Sequence, residues 1–297
     1  MVEVIASPSV RAYAGRRGVD LEKLAGEIGR ETIAREDVTR KAEGGASAPA
    51  ASRAGRDPWD VDHAAWGPVE EEPLSRIARL AASNLAAAQA LIPAVTHHDR
   101  ADMRGVDAFR ERLKPEAAAR GVRLTALAFH VKALARTLGV FPRFNASLSA
   151  DGERLILKRY INLGIAVDAP HGLTVPVIRD ADRKGLWAIA GEIADLAFRA
   201  QARKLRPDEM GGASMTVSNL GGIGGTAFTP IINPPEVAIL GLTRTEVVPV
   251  WEGDTWIPVP MVPLDLSYDH RVINGADAAR FLAHHACLIT DPRRLLL

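Results

Sequence analysis

The chain has 297 residues, 47% of them hydrophobic and only 5% aromatic, which allows one large aliphatic domain with a smaller companion and offers no platform for stacking bases. Its formal net charge of +1 gives bulk electrostatics no hold on nucleic acid or a membrane surface. A single cysteine, Cys287, excludes an intrachain disulfide framework and a multi-cysteine zinc site, and its apolar neighbours place it in core packing.

The first residues, MVEVIASPSVRAYAGRRG, lack an apolar signal core, and no apolar run in the chain is long enough to span a bilayer, which points to a cytoplasmic protein. Residues 5 to 42 read as a miniature helical domain. Ser7 caps a helix with Pro8 in its first turn, and Val10, Tyr13 and Ala14 face inward. A Gly18-Val19-Asp20 turn leads to a second helix at Leu21 to Leu24, and Arg35 to Val38 starts a third. So few residues bury little area, so this unit is marginally stable. The stretch EGGASAPAASRAGRDP, from 43 to 58, has no apolar periodicity and reads as a flexible linker.

The rest, from 66 to 297, reads as one globular domain. Leu74 to Leu91 is an amphipathic helix ended by Pro93. Ala94 to Met103 alternates like a strand, Val106 to Arg120 and Leu124 to Leu138 are helical, and Leu155 to Ile178 forms two strands about a turn at Asp168 to Gly172. Leu186 to Lys204 is helical, and Met215 to Ser218, Val237 to Leu242 and Met261 to Tyr268 are strands. This order lacks a regular strand–helix–strand repeat, so the fold class is α/β with a mixed sheet rather than a doubly wound parallel one.

The chemistry concentrates in LDLSYDHRVINGADAARF, from Leu264 to Phe281. Leu264, Leu266 and Tyr268 alternate with Asp265 and Ser267 as in a half-buried strand, and Asn274 caps the helix that follows. His270 stands at the corner between them, where an imidazole is held rigidly and reaches a cleft, as a general base working near neutral pH requires. A second string, MTVSNLGGIGG from Met215, ends a strand in glycines. Three prolines in the following TAFTPIINPP exclude the helix a dinucleotide loop needs. The pairs His97-His98 and His284-His285 do not make metal sites, because adjacent residues point in different directions; His97 is the one weighed as lining the cleft.

The string H-R-V-x-N-G at His270 resembles the active-site signature of the acyltransferase (E2) components of 2-oxoacid dehydrogenase complexes. Four further strings resemble the same family in the same order: WGPVEEEPLSRIARL, IPAVTHHDRADM, NLGIAVDAPHGLTVPVIRDAD and SMTVSNLGGIGGTAFTPIINPPEVAILG. The resemblance implies a chloramphenicol-acetyltransferase-like fold for 66–297. It implies His270 as the base, Ser218 as the oxyanion donor and Asn274 as support for the turn. The substrates would be CoA and a dihydrolipoyl group, with no metal. Ser218 in place of the threonine usual in succinyl-type relatives, and NPPEVAILG, look most like the pyruvate type, which moves acetyl. The implied assembly is a homotrimer, or a larger cage, with each active site between subunits, and the end Leu295-Leu296-Leu297 is an exposed apolar tail suited to contact beyond the trimer.

SPSVRAYAGRRGVDLEKL resembles the peripheral subunit-binding domain of the same family, placed at 1–42 before a linker at 43–65. That domain docks dihydrolipoamide dehydrogenase or the 2-oxoacid decarboxylase. The loop Glu27–Thr32 departs from the family, with Glu31 and Thr32 where Gly and Arg are expected, leaving Arg11, Arg16, Arg17 and Arg30 as basic candidates for docking. No lysine has the Asp-Lys-Ala setting of a lipoyl domain, so the lipoyl group is expected from another chain or from an N-terminal domain missing here. A non-catalytic scaffold subunit and a freestanding acetyltransferase of the chloramphenicol type are the alternatives.

Overall fold

The computed structural model describes residues 4–28, 32–42 and 61–296. Most of the expected linker, Arg30, Glu31 and Leu297 lie outside the described residues. The chain divides into two units, Met1–Glu72 and Pro73–Leu297.

In the first unit the expected helices are α1 (Pro8–Arg17), α2 (Leu21–Ile28) and α3 (Arg35–Ala42). The Ser7 hydroxyl accepts the Val10 N–H at 3.3 Å, and Gly18 closes α1 in the left-handed conformation, φ 66°. Asp20 accepts the N–H groups of Glu22 and Lys23 at 2.9 and 3.2 Å, a side-chain cap that starts α2. Val10, Ala14, Leu24, Ala25, Ile33 and Val38 make the small core. Of the basic candidates, Arg11 spends its guanidinium on the carbonyls of Val4 and Ala6, at 2.6 and 3.2 Å.

The second unit runs α4 (Arg76–Leu91), β1 (Ala94–Asp102), α5 (Arg104–Arg120), α6 (Ala126–Val140), β2 (Ala146–Leu148), β3 (Leu155–Leu157), β4 (Leu163–Ile165), β5 (Val177–Ile178), α7 (Leu186–Gln201), β6 (Met215–Asn219), β7 (Ala238–Leu242), β8 (Glu246–Glu252), β9 (Thr255–Asp269) and α8 (Gly275–Thr290). Seven strands form one sheet in the order β1-β9-β7-β6-β4-β5, with β8 also on β9, while β2 and β3 pair separately. The pairs β4–β6 and β6–β7 are parallel and the others antiparallel. The sheet is therefore mixed, as expected.

Alternation along the strands gives the sheet two faces. Val217, Leu240, Leu242, Leu264, Leu266 and Tyr268 join one apolar cluster with Val106, Leu134, Ile189 and Phe281 of α5 to α8. The other face carries Thr216 and Ser218 on β6, Gly241 on β7, Asp265, Ser267 and Asp269 on β9, and Thr96 and His98 on β1. It is not solvated, as a half-buried strand would be: Asp265, Ser267 and Asp269 are buried, because β9 is central and the segment from Phe228 to Ile232 reaches across it.

Four expectations change. The stretch Leu155 to Ile178 is three short strands, with a bridge Val167–Thr174 around the expected turn. The hairpin arm of β8 and the first half of β9 has no counterpart in the sequence reading, and a two-residue loop at Gly253, φ 65°, closes it in the primed sense that strand twist favours. Cys287 is exposed on α8, since the inward face of that helix belongs to Ala278, Phe281, Leu282, His285 and Leu288. Leu295 is buried in the chain's own core while Leu296 is exposed, so the end of the chain is only partly an apolar tail. One polar pair sits among the helices: His130 Nδ1 lies 3.1 Å from His285 Nε2 with the rings stacked. Burial pushes His130 down to about 4 and His285 well below the usual imidazole range. Among the described residues no helix is long and apolar enough to cross a membrane.

Candidate active site

His270 stands one residue past the end of β9, on a turn tied down on both sides. The Asp269 N–H donates to the Val237 carbonyl at 2.9 Å, and the His270 N–H donates to the Pro93 carbonyl at 3.1 Å. The Asp269 carboxylate takes the Arg271 backbone N–H at 3.0 Å and its guanidinium at 2.7 to 3.2 Å. Val272 and Ile273 are buried and donate to the Asp269 carbonyl, each at 3.0 Å. Asn274 Oδ1 accepts the Asp277 N–H at 2.9 Å, the expected cap of α8. The backbone at His270 is thus fixed, while the imidazole is exposed and has the Tyr268 ring beside it, at 5.8 Å between centroids. Asn274 acts on the turn and not on the imidazole.

Ser218 sits near the end of β6 and is half-buried. Among the described residues its hydroxyl makes no hydrogen bond, so it is available as a donor. The chain then turns through glycines: the Gly221 N–H donates to Asn219 Oδ1 at 3.0 Å, Ile223 and Gly224 donate to the Leu220 carbonyl, and Arg244 reaches the Ile223 carbonyl at 3.0 Å. No helix follows before β7, in keeping with the rejection of a nucleotide loop.

A single chain does not bring Ser218 and His270 together. Ser218 pairs with Gly241, which pairs with Asp265, and His270 lies five residues further on, just past the end of β9. At about 3.4 Å per residue and about 4.8 Å per strand, the two backbones are about 17 Å apart along the strands and about 10 Å apart across them. A site using both takes one half from each of two chains.

Two polar groupings escaped the sequence reading. His98, rather than His97, is the anchored member of its pair, with Nδ1 2.6 Å from Asp265 Oδ1. Beside the His270 turn, a groove of about 990 Å³ is lined by Ser147, Lys158, Tyr160, Asn233, Glu236 and Arg271 among others. Glu236 is buried there and accepts from Thr216 Oγ1 at 2.9 Å and Asn233 Nδ2 at 3.1 Å. Burial raises its carboxyl to about 7 although both bonds pull the other way. An acidic residue between Pro234-Pro235 and an apolar strand was the available signal.

The profile of the family described as 2-oxoacid dehydrogenases acyltransferase (catalytic domain) matches residues 67–297. The chain is 46% identical to the dihydrolipoyllysine-residue acetyltransferase component of the pyruvate dehydrogenase complex of Cupriavidus necator, over 98% of this chain and 55% of that protein. It is also 46% identical to the component of the same name from Pseudomonas aeruginosa, over 99% and 55%. The chain thus spans about half the length of these curated relatives. A solved structure of Azotobacter vinelandii dihydrolipoamide acetyltransferase (E2p) superposes with a TM-score of 0.79 at 48% identity, covering 80% of this chain and 98% of that one. That work concerned a serine, a histidine and an asparagine in the catalytic mechanism, separated by 52 and 4 residues, the same spacings as Ser218, His270 and Asn274. The cubic core of a pyruvate dehydrogenase multienzyme complex superposes equally well, with a TM-score of 0.79 at 49% identity over the same shares. With the profile covering the mixed sheet, the glycine turn and the histidine corner together, the chain belongs to the 2-oxoacid dehydrogenase acyltransferase family.

Proposed function

We propose that the chain transfers an acetyl group between dihydrolipoamide and CoA as the core of a pyruvate dehydrogenase complex. The observation that carries this is the rigid turn presenting an exposed His270, together with a free Ser218 hydroxyl at the spacing of the Azotobacter serine and histidine. A thiol with a pKa of roughly 8.5 needs a base at neutral pH. The His270 imidazole takes the thiol proton, the thiolate attacks the thioester carbonyl, and the carbonyl electrons move onto oxygen. Ser218 donates a hydrogen bond to that oxyanion. Collapse expels the second sulfur, which recovers the proton from the imidazolium. Asn274 serves by holding the turn.

Because Ser218 and His270 lie far apart in one chain, each site is built between subunits of a homotrimer, which assembles further as in the cubic core. Four large apolar residues of α4, Ile77, Leu80, Leu85 and Leu91, are exposed in the single chain and suit such a contact. The lipoyl group arrives on a separate domain, of another chain or of this one. The three-helix unit at 1–42 docks dihydrolipoamide dehydrogenase or the decarboxylase, and the complex is cytoplasmic. His270→Ala tests the chemistry: turnover with acetyl-CoA and dihydrolipoamide should fall by at least a hundredfold with the assembly intact, and near-normal turnover refutes the role. Ser218→Ala should cost on the order of a hundredfold in kcat. Assays with acetyl-, succinyl- and branched-chain acyl-CoA test the acyl group, and a succinyl preference overturns acetyl.

A further inference from the structure

The acyl-transfer chemistry leaves one buried charge on the polar face of the sheet without a role. Asp265 is 1% exposed, and a carboxylate persists there only if its oxygens are paired. One oxygen pairs with His98 Nδ1 at 2.6 Å, and the other accepts the Phe228 backbone N–H at 3.2 Å. This second bond holds the Phe228 ring over Gly241, where an added Cβ would lie 2.6 Å from the ring. The carboxylate therefore keeps a hydrogen on Nδ1, and in the neutral ring of that tautomer Nε2 is the acceptor. His98 is half-exposed and lines a cavity of about 400 Å³ with Thr96, Ser267, Thr229, Ile92 and Ile231. Aliphatic and fixed polar side chains share its wall, and convergent polar groups of this kind are what orient a ligand.

Strand register fixes where this cavity lies. Ser218, Gly241, Asp265 and His98 form one row across four strands, so His98 shares a face with Ser218 at about 14 Å, three strand spacings away. A substrate whose thioester reacts beside Ser218 and whose arm runs along this row passes Phe228 and meets Nε2 of His98. We infer that His98, oriented by Asp265, is a positioning residue that accepts a hydrogen bond from an amide N–H in the arm of a thiol substrate. The inference rests on the acyltransferase reading above. Dihydrolipoamide and CoA both carry such an amide. A bond this far from the reacting sulfur is equally strong in the ground state and the transition state, so it lowers KM and leaves kcat alone.

The test compares the whole chain with His98→Asn and His98→Gln. Asparagine keeps a donor for Asp265 but has nothing at the place of Nε2, whereas the longer glutamine amide reaches that place. Binding of CoA and of dihydrolipoamide is measured separately by calorimetry, alongside KM and kcat. H98N should weaken one of the two thiols about tenfold in Kd and KM with kcat within twofold, and H98Q should recover most of the loss. The thiol that moves identifies the arm. Unchanged Kd for both thiols in H98N overturns the inference, as does a fall in kcat at constant Kd. The His270→Ala variant separates the two readings: normal turnover there refutes the acyltransferase chemistry, while the calorimetry still decides the role of His98.

Discussion

The two faces of the central sheet are made by the same strands and obey different rules. Leu266 and Ser267 are neighbours on β9, both buried. The leucine packs into the cluster shared with α5 to α8, where stability comes from area and shape and any aliphatic of equal volume nearly serves. The serine lies on a face where polar groups are paired with named partners, Ser267 with Thr96 at 2.8 Å, Asp265 with His98, Thr216 with Glu236, and Ser218 is left open. Such a face gains little net stability from its hydrogen bonds and loses much if one is half broken. What it supplies is fixed direction, which a reaction centre needs and an aliphatic core cannot give. The buried pair His130 and His285 on the helical side makes a useful contrast, since burial is the main cause that keeps both imidazoles from taking a proton.

The largest separation between the faces should come from Leu266→Ala, expected to cost about 2–5 kcal/mol, with catalysis in the surviving folded fraction unchanged. Denaturant unfolding beside single-turnover kinetics measures both, and a loss below 1 kcal/mol would mean that the apolar face is not the source of stability.

Next in size are two opposed pH effects. The unfolded histidines take protons near 6.5, but buried His130 does not until about 4, and burial holds His285 well below 6.5 as well. The unfolded state therefore binds more protons in this window, and stability present above pH 6.5 is lost as pH falls toward 4, by up to about 1.4 kcal/mol per unit for each group. Replacing both by leucine should flatten that slope between pH 7 and 5. Glu236 runs the other way. Its folded pKa is raised from 4.5 to about 7, so its contribution is complete below pH 4.5 and lost as pH rises through 7. Glu236→Gln keeps an acceptor for Thr216 and should raise Tm more at pH 8 than at pH 4.5. An equal change at both values would show that the carboxyl is not held protonated.

Asn274→Ala removes the cap of α8 and should cost about 1 kcal/mol, together with a loss of kcat as the His270 turn loosens; a stability loss with full kcat would confine Asn274 to the helix. The smallest effect belongs to Ser267→Ala. It removes one hydroxyl pair, that with Thr96, and a cost of about 0.5–1.5 kcal/mol is expected by thermal unfolding. A cost matching that of Leu266→Ala would erase the distinction between the faces.

The strand-to-helix corner at His270 was legible because its signals are local: alternation at Leu264, Leu266 and Tyr268, then Asn274 one residue before α8. The β8–β9 arm was not, because Pro249, Pro258 and Pro260 break the expected strand signature. They are tolerated since residues 255–260 pair only with β8, in a ribbon with a free edge. The partner of His98 could not be read at all, since Asp265 is 167 residues away in sequence and only register joins them. Cys287 was misplaced for a simpler reason. Apolar neighbours in sequence lie all around a helix, and position 287 falls on the outer side.

That outer position has a practical consequence for measuring the reaction. The proposed acyl transfer exchanges one free thiol for another and leaves their number unchanged, so a sulfhydryl dye in such an assay reads substrate thiols together with the protein's own; Cys287 is the one cysteine of the chain and exposed. Every polypeptide therefore contributes one titratable equivalent to the baseline before any substrate turns over. Cys287→Ser removes the offset without touching the core. The native residue, conversely, gives a single attachment point for a fluorophore, with a known stoichiometry of one per chain.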